Sequence, residues 1–84
     1  MKVEVRLFAS LREKLPGALR GRATLELPEG ASLHELLGAL EIEPRMAQML
    51  LVNGVQAPRD PAARAALRLA AGDTVAIFPP VAGG

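Results

Sequence analysis

The 84-residue chain contains no cysteine, tryptophan or tyrosine, and its single histidine is His34. Without cysteine there can be no disulfide, thiolate metal site or cysteine nucleophile. The only aromatic residues are Phe8 and Phe78, so the core must be assembled from Leu, Val, Ile, Ala and Met. Charge is not concentrated either: 10 basic and 9 acidic residues interleave to a net +1, which gives no basic tract for nucleic acid and no acidic tail. No run approaches the ~18 apolar residues of a membrane span, and Met1 leads directly into an alternating segment rather than a signal peptide. A cytoplasmic protein with no membrane association is expected. This length allows one domain, which buries roughly 60–65% of the surface its unfolded chain exposes.

What is present is strong patterning. In KVEVRLF, Val3, Val5 and Leu7 share one face, and Lys2, Glu4, Arg6 and Phe8 share the other, the period of a half-buried strand. SLREKLPG follows, with Ser10 and Glu13 at capping-box spacing and Pro16-Gly17 as a stop; it predicts one or two helical turns with Leu11 and Leu15 inward. After a turn at RGR, ATLELPEG predicts a second strand with Ala23, Leu25 and Leu27 inward and Pro28 at its end. A second capping box, Ser32 and Glu35, opens SLHELLGALEIEP. There Leu33, Leu36, Leu37 and Leu40 fall at i, i+3, i+4 and i+7, the apolar stripe of the main helix. Gly38 in that helix points to close packing against the sheet, and Pro44 bars continuation. LLVNGVQ predicts a short buried strand, an Asn53-Gly54 hairpin turn and a return. APRDPAARAA is proline-interrupted and predicts a loop that can include a helical turn near Arg64. LRLAAGDTVAIFPP predicts a short strand, a Gly72-Asp73 turn, and a final strand with Val75 and Ile77 inward and Thr74, Ala76 and Phe78 outward.

One amphipathic helix with one apolar stripe covers one face of one sheet. The expected class is therefore α+β: a mixed sheet of four to five strands covered by one main helix, on the ubiquitin-like β-grasp plan. Residues 1–80 would form the domain and residues 81–84 a flexible C-terminal tail.

Catalytic groups are scarce. His34 lies beside the apolar stripe and predicts a solvent-facing residue. Ser10 and Ser32 are used as helix caps, leaving no serine free as a nucleophile. PEGAS and AAGD read as turns rather than phosphate loops, and no acidic pair falls in an obvious cleft. This inventory does not make a self-sufficient enzyme, and no metal ligand set is present.

Two features remain. Phe8 and Phe78 both fall on the outward phase of their strands. If the first and last strands are neighbours, the two rings form one exposed apolar patch suited to a protein partner. The second feature is the ending FPPVAGG. Pro79 and Pro80 remove backbone donors and set an extended course, which stops the sheet. Val81, Ala82, Gly83 and Gly84 can then reach roughly 13 Å at ~3.3 Å per residue. Gly83 and Gly84 carry no Cβ and fit a channel closed to side chains. What the tail delivers is the Gly84 carboxylate, a poor acyl donor until it is activated, for which adenylation by ATP is the usual route.

FASLRE directly after the first strand, with GDTVAIFPPVAGG at the end, resembles the small subunits of molybdopterin synthase (the MoaD branch of the MoaD/ThiS sulfur carriers). The resemblance spans the whole chain. It implies that a MoeB-type adenylating enzyme, using ATP and Mg²⁺, forms an acyl-adenylate on Gly84. A sulfurtransferase persulfide would then convert this to a thiocarboxylate. It further implies that the tail enters a MoaE-type large subunit in a heterotetramer and gives its sulfur to cyclic pyranopterin monophosphate. The chain itself would bind no cofactor and would act as sulfur donor rather than as an enzyme alone. Phe8 and Phe78 match the family's contact aromatics, and Pro79 and Pro80 are expected to bind the partner beside them. The segment 57–69 does not match residue by residue, and AIF supplies one aromatic where relatives can have two. Two other readings stay open: the same tail chemistry for another client (tRNA thiolation, thiamine thiazole or protein conjugation), and a non-catalytic β-grasp docking module.

Overall fold

The strict alternation after Met1 forms β1 (Lys2–Leu7), with Val3, Val5 and Leu7 buried and Lys2, Glu4 and Arg6 exposed. The computed structural model describes residues 1–14 and 21–80; the expectations for Leu15, Pro16-Gly17 and the tail residues Val81 to Gly84 lie outside them. β1 pairs antiparallel with β2 (Arg22–Glu26), matching Lys2 to Glu26 and Arg6 to Arg22. On its other side it pairs in parallel with β5 (Thr74–Phe78), matching Glu4 to Thr74 and Leu7 to Ile77. β3 (Met49–Val52) runs antiparallel to β5, and β4 (Val55–Gln56) completes the far edge. The order is β2-β1-β5-β3-β4 in one five-stranded sheet. The fold is the expected α+β β-grasp.

One helix, α1 (Leu33–Ala39), covers the inward face, and both halves of its capping box form. Glu35 N–H donates to Ser32 Oγ at 3.1 Å, and Ser32 N–H donates to Glu35 Oε1 at 3.3 Å. Leu33, Leu36, Leu37 and Leu40 are all buried, in one core with Val5, Leu7, Leu50, Val75 and Ile77. Truncating one of these leucines to alanine costs about 2–5 kcal/mol. The helix stops before Pro44. Glu41 takes φ 57°, its N–H donates to Gly38 O at 3.0 Å, and Ile42 N–H donates to Leu37 O at 2.9 Å. This is a Schellman closure, with Ile42 buried beneath it. A 3-10 turn at Pro44–Met46 leads into β3.

Asn53 and Gly54 link β3 to β4 with φ of 53° and 83°, the two positive values a type I′ hairpin turn requires. Asn53 also ties this turn to the one before β5. Its Nδ2 donates to Asp73 Oδ1 at 3.0 Å, and its Oδ1 accepts from Thr74 N–H at 2.9 Å.

Four expectations are corrected. The proline-interrupted loop contains a helix, α2 (Pro61–Ala66), packed against α1. Asp60 caps it by accepting from Ala63 N–H at 3.0 Å, and Pro61 sits in the first turn, where its missing donor costs nothing. LRL forms no full strand: it contributes a single bridge, Arg68 to Ser32. Ser10 lies second in a 3-10 helix, Ala9–Lys14, rather than in front of it, and so is not its N-cap, although Leu11 is buried as expected. Gly38 faces solvent, and a Cβ there would meet nothing within 4 Å, so it makes no close approach to the sheet. Among the described residues no helix is long and apolar enough to cross a membrane.

Two glycine substitutions separate local strain from local propensity. Gly38→Ala should raise the unfolding free energy by about 0.8–1 kcal/mol, read from urea denaturation; a decrease would mean that the site is packed after all. At Gly21, with φ +70°, a Cβ would lie 2.4 Å from the Leu7 carbonyl oxygen. Gly21→Ala should therefore destabilise by about 1–3 kcal/mol, and an unchanged denaturation midpoint would contradict that contact.

Candidate functional site

Because β1 and β5 are parallel, they end at the same edge of the sheet. β3, antiparallel to β5, begins there. Phe8 follows β1 directly, and its N–H donates to Ile77 O at 3.2 Å, extending the pairing by one residue. Phe78 closes β5 on the same outward phase. The two rings stack, with centroids 4.2 Å apart and planes 9° from parallel. Such a pair contributes about 0.5–1.5 kcal/mol beyond its area burial. Each ring remains half-buried, so each shields one face of the other and leaves the remainder open.

Ala9, at φ 53°, turns the chain away from the sheet immediately after Phe8. This leaves the ring uncovered by the 3-10 helix that follows. The Arg6 guanidinium lies 5.8 Å from the Phe8 ring centroid, within cation–π range. The charged side chain therefore borders the aromatic patch.

Met49 joins the pair. The β3–β5 register sets it opposite Phe78, and among the described residues it is one of two exposed large hydrophobic residues, at 36%. The sequence reading missed it. Its signal was the alternation of Met49 and Leu50, which sends Leu50 into the core and Met49 out. Only the β3–β5 pairing places it beside Phe78. An unbranched thioether adapts its shape to whatever packs against it.

Phe8, Phe78, Met49, Gln48, Pro79 and Pro80 line an open groove of about 620 Å³, with Ala9 and Ser10 at one end. Its walls are almost entirely apolar and no titratable side chain lines it, so what it offers a partner is shape and desolvation rather than acid–base chemistry. Pro79 is half-buried and Pro80 exposed. Val81, Ala82, Gly83 and Gly84 follow in sequence from this rim and lie outside the described residues. His34 is exposed, and Ser32 is buried as a cap. Among the described residues no group of three or more His, Cys, Asp or Glu is placed to hold a metal ion.

Comparison with known proteins bears on the family and the fold. The ThiS family model matches residues 5–84. The chain is similar to SAMP1 from Haloferax volcanii, at 28% identity and a TM-score of 0.69 with all of both chains covered. It is also similar to a Pyrococcus furiosus protein assigned as subunit 1 of molybdopterin converting factor, at 28% identity and a TM-score of 0.68, covering 95% of this chain and 98% of that one. A complex of subunits 1 and 2 of molybdopterin-converting factor from Helicobacter pylori shares the fold, at 22% identity and a TM-score of 0.61 over the full length of both chains. No curated protein matches. With the family model spanning nearly the whole chain, tail included, the protein belongs to the ThiS family of ubiquitin-like sulfur carriers.

Proposed function

We propose that this chain carries sulfur on Gly84 for molybdopterin synthesis. The observation that carries the reading is the joint placement of an apolar groove and the exit of a Gly-Gly tail at one edge of the sheet. A partner that docks on Phe8 and Phe78 receives the tail in the same encounter, with Pro79 and Pro80 stiffening the path between them.

The chemistry needs only the chain's terminal carboxylate. On a MoeB-type enzyme, a Gly84 carboxylate oxygen attacks the α-phosphorus of ATP and pyrophosphate leaves. Mg²⁺, held there with the nucleotide, offsets the phosphate charge. Sulfide, attacking the acyl carbon of the mixed anhydride, displaces AMP and leaves a thiocarboxylate. A sulfurtransferase persulfide does the same through an acyl disulfide, which a thiol reductant then cleaves with two electrons. Gly83 and Gly84, without side chains, allow the acyl group to reach a recessed site. In a MoaE-type large subunit the thiocarboxylate sulfur passes to cyclic pyranopterin monophosphate and the tail returns as a carboxylate. The likeness to a molybdopterin converting factor subunit 1 and the FASLRE segment favour this client.

A second reading shares the activation step and ends in a different bond: a lysine amine attacks the acyl carbon of the adenylate, AMP leaves, and an isopeptide forms. The likeness to a small archaeal modifier protein, at 26% identity over 95% of this chain, favours it.

Both readings make Gly84 indispensable, whereas a passive docking module does not. Intact-mass analysis after incubation with ATP, Mg²⁺, sulfide and a MoeB-type enzyme should show one oxygen replaced by sulfur, and deletion of Gly84 should abolish the change. No change, with that enzyme active on another carrier, would overturn the carrier reading. Adding a MoaE-type subunit and pterin substrate then separates the clients: consumption of the thiocarboxylate supports molybdopterin synthesis, and persistence together with lysine adducts supports conjugation.

A further inference from the structure

A second concavity, of about 240 Å³, lies between the 3-10 turn at Pro44–Met46 and the start of α2. Three of its walls are arginines: Arg45, Arg59 and Arg64. Arg64 is the unusual one. It is only 2% exposed, on a helix whose other residues are mostly solvent-facing. Its Nε donates to Pro58 O at 2.7 Å, but Nη2 has no hydrogen-bond partner. Among the described residues no carboxylate oxygen lies within 4.0 Å of Arg64 or Arg59.

A buried guanidinium with an unmatched donor is costly unless something pairs with it. Asp60, the acid nearest both in sequence, accepts from Ala63 N–H at 3.0 Å, and Glu43 accepts from Nε of the rim residue Arg45 at 2.7 Å. Burial first, and the neighbouring Arg59 charge second, lower the Arg64 pKa from its usual value. An anion between the two would relieve both effects. The tether to Pro58 uses Nε alone, so holding the loop before α2 does not account for the rest of the guanidinium.

We propose that this cleft binds a compact oxyanion, phosphate or carboxylate, between Arg64 and Arg59. The guanidinium fork suits paired oxygens. The rim residues Arg45, Gln48 and Arg59 are exposed long side chains that can rearrange around an incoming anion. Gln48 lines both this cleft and the apolar groove. The oxyanion therefore has two sources: a free phosphate-type ligand, or an acidic side chain of a protein seated on the groove. The proposal does not depend on the sulfur-carrier reading.

The test uses the full chain, isotope-labelled for NMR, titrated with sodium phosphate, sodium acetate and sodium chloride at matched ionic strength. Phosphate should give saturable shifts at the Arg64 Nε–Hε group and at the amides of Ala47 and Gln48, in the millimolar range. Arg59→Ala, at an exposed site that leaves the Pro58 tether intact, should weaken that binding by about tenfold, one charge-assisted contact. Arg64→Met should abolish it. Saturation by phosphate alone supports a phosphate-type ligand, and saturation by acetate as well supports an acidic side chain as the natural occupant. Linear shifts of equal size in all three salts, or phosphate binding unchanged by Arg59→Ala, would overturn the proposal. Because Arg59→Ala leaves the buried guanidinium in place, the test stands even if Arg64→Met fails to fold.

Discussion

The parallel pairing of β1 and β5 joins residues about 70 positions apart in the chain, at the middle of the sheet. Every other element leans on it: β2 adds to the free edge of β1, β3 adds to the free edge of β5, and α1 lies across the inward side chains of both. Leu7 pairs with Ile77 beneath α1, both fully buried. One residue further on, the outward phase stacks Phe8 on Phe78. The same register thus sets a core pair on one face and the aromatic pair on the other. A slip of one residue would send Val75 and Ile77 to solvent and Phe78 into the core, so the groove exists only where the core is correct.

That constraint confines the apolar surface of the outward face to one edge of the sheet. The outward face is charged or polar along most of its length, with Lys2, Glu4, Arg6 and Thr24 exposed, and turns apolar at the edge where β1 and β5 end. Stacking hides part of each ring from water, and Arg6 reaches over one of them. The chain leaves the sheet at that edge through two prolines.

Much of this was legible in the sequence, because strand phase and helix stripe are local properties. Val3, Val5 and Leu7, the leucines of α1, and Val75 and Ile77 each announce their face by spacing alone, and Ser32 with Glu35 announces where the helix starts. The Phe8–Phe78 patch followed from phase plus one assumption about neighbouring strands, which the β1–β5 pairing meets. What was not legible depends on contacts across the sheet or on reading one residue two ways. Met49 becomes part of the groove only through its register with Phe78. Pro61 looked like an interruption, yet behind Asp60 it is a helix start. Arg64 gave no local sign of burial, since an arginine among alanines reads as surface until α2 is packed against α1. Gly38 was misread because a glycine within a helix has two explanations, close packing and simple tolerance, and only the space around it tells them apart.

The dependence of the groove on the central pairing is tested most directly by a double-mutant cycle on Phe8→Ala and Phe78→Ala, with urea unfolding of the wild type, both single variants and the double. Stacked rings held by one register should give a coupling energy of about 0.5–1.5 kcal/mol. Additive effects, with no coupling, would mean that the two aromatics do not act as one surface and that the joint placement of groove and tail exit has another origin.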